Sequence, residues 1–152
     1  MKLAEALILR ADYQKRVERL KQRLVRNAKV QEGDSPAENP PELIEELERT
    51  TAELTRLIQR INKTNSVTTL EGETTISDAL AVRDILGSKQ AVYRDLAQAA
   101  SITQDRYTKS EVKFRSTVNV AEIQRRADSL AQEHRVLDAK IQEGNWRTDL
   151  LE

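Results

Sequence analysis

Residues 39–65 read NPPELIEELERTTAELTRLIQRINKTN, and this stretch decides the fold. Leu43, Ile44, Leu47, Leu54, Leu57, Ile58 and Ile61 recur at three- and four-residue intervals, which gathers them on one face of an α-helix. Asn39 is placed to cap that helix. Pro40 suits the first helical position, where no backbone N–H is needed, and Glu42 stands where a capping box has its acid. The spacing predicts a helix from about Pro40 to Asn65, the cleanest periodicity in the chain.

Toward the N-terminus, Leu3, Val17 and Leu24 lie on one heptad row and Ala6, Tyr13 and Leu20 on another. They predict a first helix over about residues 2–30 with a narrow apolar stripe, widened near its start by Leu7, Ile8 and Leu9. Gly33 is expected to stop it, with a polar linker over about 31–40. The charge pattern ties these two helices together. Residues 2–30 hold nine Lys or Arg against three acids, and residues 31–53 hold eight acids against Arg49. The overall balance of 25 basic and 25 acidic residues thus hides a basic segment followed by an acidic one. Such blocks suit the flanks of an antiparallel, coiled-coil-like hairpin, where exposed pairs set register more than stability.

Toward the C-terminus, residues 66–76 (SVTTLEGETTI) break the helical pattern and predict a small hairpin or turn around Gly72. A third helix is expected from Ser77 or Asp78 to about Ile102, with Ala79, Leu80, Val82, Ile85, Leu86, Val92, Tyr93, Leu96 and Ala99 as its apolar positions. Gly87 within it marks a kink or a close helix approach. Val112, Phe114, Ser116 and Val118 then alternate with polar residues, the pattern of a short strand that could pair with the 67–76 segment. Asn119 and Glu122 form a capping box for a fourth helix, with Val118 facing Ile123 as a hydrophobic staple. Its stripe is Ile123, Ala127, Leu130, His134, Leu137 and Ile141; Gly144 ends it, and Trp146 is expected to anchor the tail. The fold class is therefore mainly α: one domain over 1–152, an antiparallel bundle of about four long helices with a small β element near 67–76 and 112–118. Narrow stripes and 3% aromatics leave apolar faces over, so a homo-oligomer is expected.

With no cysteine, disulfides and thiolate metal sites are excluded, and a reducing cytoplasm is the expected location. Apolar runs are too short to span a membrane, and the start MKLAEALILRADYQ lacks the features of a secretory signal. His134 is the only histidine and has Ala131 three residues before it, so the paired Glu-x-x-His motif of di-iron bundles is absent. Glu42, Glu45 and Glu48 have the Glu-x-x-Glu spacing that can hold Mg²⁺. A solvated acidic face opposite the basic first helix is the reading we favour, and no cofactor is expected. A second class, a small Mg-dependent nucleotide-binding protein or hydrolase, would use Glu42, Glu45, Arg83 and Asp84. A third, a nucleic-acid binder through the 104–115 loop, would use Arg106, Lys109, Lys113 and Arg115 interleaved with Tyr107 and Phe114. The neutral total charge and the acidic 31–53 block disfavour it.

Several blocks together resemble a known family. Arg26–Gly33 (RNAKVQEG), Ile61–Asn65 (INKTN), Leu80–Asp84 (LAVRD), Asp105–Tyr107 (DRY), Ser110–Lys113 (SEVK), and Leu137–Gln142 (LDAKIQ) with Asn145-Trp146 occur in this order. The chain resembles the septicolysin-like family of small bacterial proteins, otherwise classed as a domain of unknown function, over essentially its whole length. The resemblance implies a soluble, mainly helical protein with no established reaction. It offers no support for lysis, since the sequence has neither barrel-forming amphipathic hairpins nor a membrane-length apolar segment. It also draws attention to Asn27, Asn62, Asn65, Arg83, Asp84, Arg106, Glu111, Lys113, Asp138, Gln142 and Asn145. Two readings compete for these: a buried polar network fixing helix register and assembly, or the lining of a ligand pocket. We favour the network.

Overall fold

Four helices follow the four apolar periodicities: α1 (Leu3–Arg26), α2 (Pro40–Val67), α3 (Ile76–Ala100) and α4 (Val120–Arg147). The computed structural model describes residues 1–101 and 113–152. Between α2 and α3 lies a two-stranded hairpin, β1 (Thr69–Glu71) and β2 (Thr74–Thr75). Gly72 opens its two-residue turn with φ of +58°, a conformation that glycine adopts without strain. The fold is mainly α, as the periodicity predicts. No helix among the described residues is long and apolar enough to cross a membrane.

The chain divides into two compact units, Met1–Thr69 with Gln142–Glu152 and Leu70–Ile141, so that α4 contributes to both. In the first unit α1 and α2 pair antiparallel, and the opposite charge blocks meet. Arg16 donates to Glu46 Oε1 at 2.7 Å, and Arg23 donates through Nε to both Glu38 carboxylate oxygens at 3.1 Å. Leu3, Leu20, Leu43, Leu57 and Ile61 are buried here. The chain's end lies along the start of α1. Leu3 N–H donates to Thr148 O, Leu150 N–H to Met1 O, and Lys2 Nζ reaches Asp149 at 2.8 Å. Thr64, fully buried in α2, accepts from Leu151 N–H at 3.0 Å, while Arg60 donates to Leu151 O.

Several boundaries differ from expectation for local reasons. Helix α1 stops at Arg26 because Asn27 closes it: its amide donates to Arg23 O at 2.8 Å, and its Oδ1 accepts from Glu38 N–H at 3.1 Å. Gly33, at φ +91°, turns the linker rather than the helix end. Asn39 opens α2 through its backbone, Leu43 N–H donating to Asn39 O, and its side chain makes no cap bond. Thr75 caps α3 by accepting from Asp78 N–H at 3.1 Å, which sets the helix to begin at Ile76. Asn119 caps α4 as predicted, accepting from Glu122 N–H. That helix continues past Gly144, and Trp146 is exposed; Leu150 and Asn145 are the buried residues of this segment.

The expected strand over 112–118 does not form within the described part. Residues 113–118 have no regular structure, and Phe114 is 81% exposed. Ser116 Oγ instead donates to Val118 O, a local bond that competes with a strand ladder, and β1 finds its partner in β2. Val112 lies outside the described residues.

Candidate functional site

In the second unit α3 and α4 run antiparallel, and three contacts fix their register. Arg83 Nη1 donates to Asp138 Oδ1 at 3.0 Å, the His134 ring lies over Gly87, and the Arg126 guanidinium stands 5.9 Å from the centroid of Tyr93. Gly87 is thus the close approach that the sequence suggested. A Cβ built there would stand 3.5 Å from both Cδ2 and Nε2 of His134, in ordinary contact. The single histidine packs against Gly87 of α3.

Where the hairpin meets these helices there is an open groove of about 680 Å³. Leu70 and Thr74 form one wall, Ala79, Val82 and Leu86 of α3 its floor, and Val136 and Leu137 of α4 the other wall. Ser129, Gln132 and Glu133 line it on α4. At its rim Lys140 donates to Glu71 Oε2 at 2.8 Å, and this bond together with the ammonium charge holds Glu71 below the usual carboxylate range. Aliphatic side chains of the hairpin, α3 and α4 share this lining with six polar or charged ones, the mixed character of a groove that takes an amphipathic partner.

The groove continues onto the rest of α3. The helix carries two stripes of 3-4 spacing. Ile76, Ala79, Arg83, Leu86, Gln90, Tyr93 and Ala97 are buried or half-buried. Val82, Ile85, Val92 and Leu96, about 120° around the helix, are exposed at 52%, 66%, 65% and 37%. Lys89 and Ala99 complete this second stripe and are exposed too.

The polar candidates do not converge on the groove. Asn27 is the α1 cap described above. Arg83 is engaged by Asp138 and by its neighbour Asp84, whose Oδ1 accepts at 3.2 Å; this triad sets helix register. Asn62, Lys113 and Gln142 are exposed, Asn65 is half-buried, and Asn145 is buried. Arg106 and Glu111, like Lys109, lie outside the described residues. Glu42 and Glu45 are exposed on α2, and among the described residues no cluster of three or more acids or histidines could hold a metal. Sequence reasoning gave Val82, Ile85, Val92 and Leu96 only as apolar positions of α3. Separating those positions into two heptad registers is the signal that would have found the exposed face.

Residues 10–150 match the model of a family of unknown function, DUF6847. The chain belongs to that family. It is also similar to a functionally unknown conserved protein from Corynebacterium diphtheriae, seen in a crystal structure. That protein shares 49% sequence identity with it, superposes with a TM-score of 0.95, and is covered to 99%, as is this chain. No curated protein matches the sequence. The two chains therefore share one fold over their length, and neither comparison assigns a reaction.

Proposed function

We propose that this DUF6847 protein works by protein–protein interaction, as a cytoplasmic helical homo-oligomer serving as a scaffold or accessory subunit. The observation that carries this reading is the row of four large aliphatic side chains left in water along α3, one of which, Val82, also lines the groove. Single exposed apolar residues are common, but two pairs in register on one helix face, divided by Lys89, mark an interaction surface. A coiled-coil-like 3-4 spacing adds that the natural occupant of such a face is another helix. The resemblance to septicolysin-like proteins is part of the same proposal and, like the family match, supplies no reaction. The hydrolase reading receives no comparable support, because Arg83 is occupied by two carboxylates and Glu42 and Glu45 have no third acidic ligand among the described residues.

Light scattering at micromolar concentration tests the proposal. An oligomer whose mass falls to that of one chain on dilution is expected. A monomer throughout the range would overturn it.

A further inference from the structure

We infer that the exposed stripe of α3 pairs with the same stripe of a second copy, in antiparallel orientation. This inference rests on the reading of α3 as a docking face and adds its partner and geometry. In heptad terms Val82, Lys89 and Leu96 occupy one core row and Ile85, Val92 and Ala99 the other. Antiparallel helices place the first row of one copy against the second row of the other. The layers become Val82 with Ala99, Ile85 with Leu96, and Lys89 with Val92, each occurring twice about a two-fold axis. Self-complementarity of this kind is what an isologous dimer requires.

Lys89 decides the orientation. A parallel pair would set two Lys89 ammonium groups against each other in the apolar seam, where neither has a partner. The antiparallel pair sets Lys89 against Val92, with its stem over apolar surface and its ammonium within reach of Asp95 from the second copy. Asp95 is 70% exposed beside the seam and is held only by its neighbour Arg94 at 3.4 Å among the described residues, so the second copy's ammonium would compete for its carboxylate. The stripe spans roughly 25 Å of helix. Under the two-fold axis the Ala99 end of the second copy meets Val82, where the stripe joins the groove floored by Leu86 and walled by Val136.

The chain has no cysteine, so single engineered thiols report pairing without background. In the antiparallel register the two Ile85 positions lie about 16 Å apart along the axis, beyond disulfide reach, as do the two Leu96 positions, while Ile85 faces Leu96. Mild oxidation of an equilibrated mixture of I85C and L96C is expected to give disulfide-linked dimers. Either variant alone should give few. Efficient linking of each variant by itself, with none gained on mixing, would overturn the antiparallel geometry. Light scattering on I85D/V92D gives the second arm, with circular dichroism to verify its helices. A folded monomer supports the α3 seam. A folded variant that stays oligomeric overturns it while leaving the homo-oligomer intact, whereas a monomeric parent protein overturns both. Lys89→Leu is expected to tighten self-association by roughly tenfold; weaker association would argue against Lys89 lying in the seam.

Discussion

Asn27 and Gly87 show how single residues set this architecture. The Asn27 side chain satisfies a terminal α1 carbonyl with its amide and a linker N–H with its oxygen, so one residue ends the helix and fixes the path to α2. Asn27→Ala leaves Glu38 N–H without its partner, while Arg23 O keeps the backbone N–H of residue 27, and is expected to destabilise the fold by about 1 kcal/mol, read by chemical denaturation. Gly87 has the opposite character. A methyl group there makes ordinary contact with His134, and alanine is the better helix former, so Gly87→Ala should stabilise by about 0.5–1 kcal/mol. Gly87→Leu drives a branched side chain into the imidazole and should destabilise, which separates helix propensity from packing in the same assay. Sequence marked both positions, and for Gly87 it offered a close helix approach among its readings. Asn27 entered through a family resemblance and Gly87 through its low helix propensity, while their partners, Glu38 and His134, are visible only once the chain is folded.

At the scale of elements, the helix count, order and approximate limits were legible because each helix carries its own apolar period. The α1–α2 hairpin was legible from charge as well, and Arg16–Glu46 and Arg23–Glu38 realise the expected pairing. Hydrogen bonds from those arginines hold Glu38 and Glu46 below the ordinary carboxylate value of 4.5. A carboxylate with a depressed folded pKa contributes stability above its unfolded pKa and loses it as pH falls through the folded one. The melting temperature should therefore decline below about pH 4.5, and Glu46→Gln should lower stability at pH 7 slightly while flattening that acid decline. An unchanged acid limb in the variant would show that this pair makes no measurable contribution, as many exposed pairs do. The face of α3 was not legible in the same way. Its two apolar stripes overlap in sequence, and periodicity records that a position is apolar without recording whether anything covers it. The 113–118 segment failed for a related reason: alternation predicts a strand only where a neighbouring edge can accept it.

For the whole molecule, the polar residues picked out by resemblance are distributed among a helix cap, an interhelical ion pair, exposed positions and a buried asparagine, with no shared cleft among the described residues. Where these residues are engaged, they hold a helix end and the α3–α4 register. Composition had already removed most chemistries, and what remained was aliphatic surface, which a single sequence does not distinguish from core. Solution assembly is therefore the property on which the reading turns. If α3 of one chain covers α3 of another, dilution should raise both the solvent accessibility of Val82–Leu96 backbone amides, measured by hydrogen exchange, and the fraction of free chains. Exchange that is fast and independent of concentration would place the assembly contact elsewhere.

The bonds that hold the last residues against Met1 and Leu3 carry a consequence for connectivity. Leu150 N–H and Met1 O are hydrogen-bonded at 2.9 Å, so the beginning and end of the chain are spatial neighbours. A short peptide joining the segment after Leu150 to Met1 would span only a few residues' length, and new ends could be opened at the exposed Gly33 turn. Such a circular permutant should retain native helicity, because it deletes no packed residue. It would also turn closure of the two chain ends into a local event while making the α1–α2 hairpin the distant one. Its folding rate would then report which of those two contacts organises the native structure first.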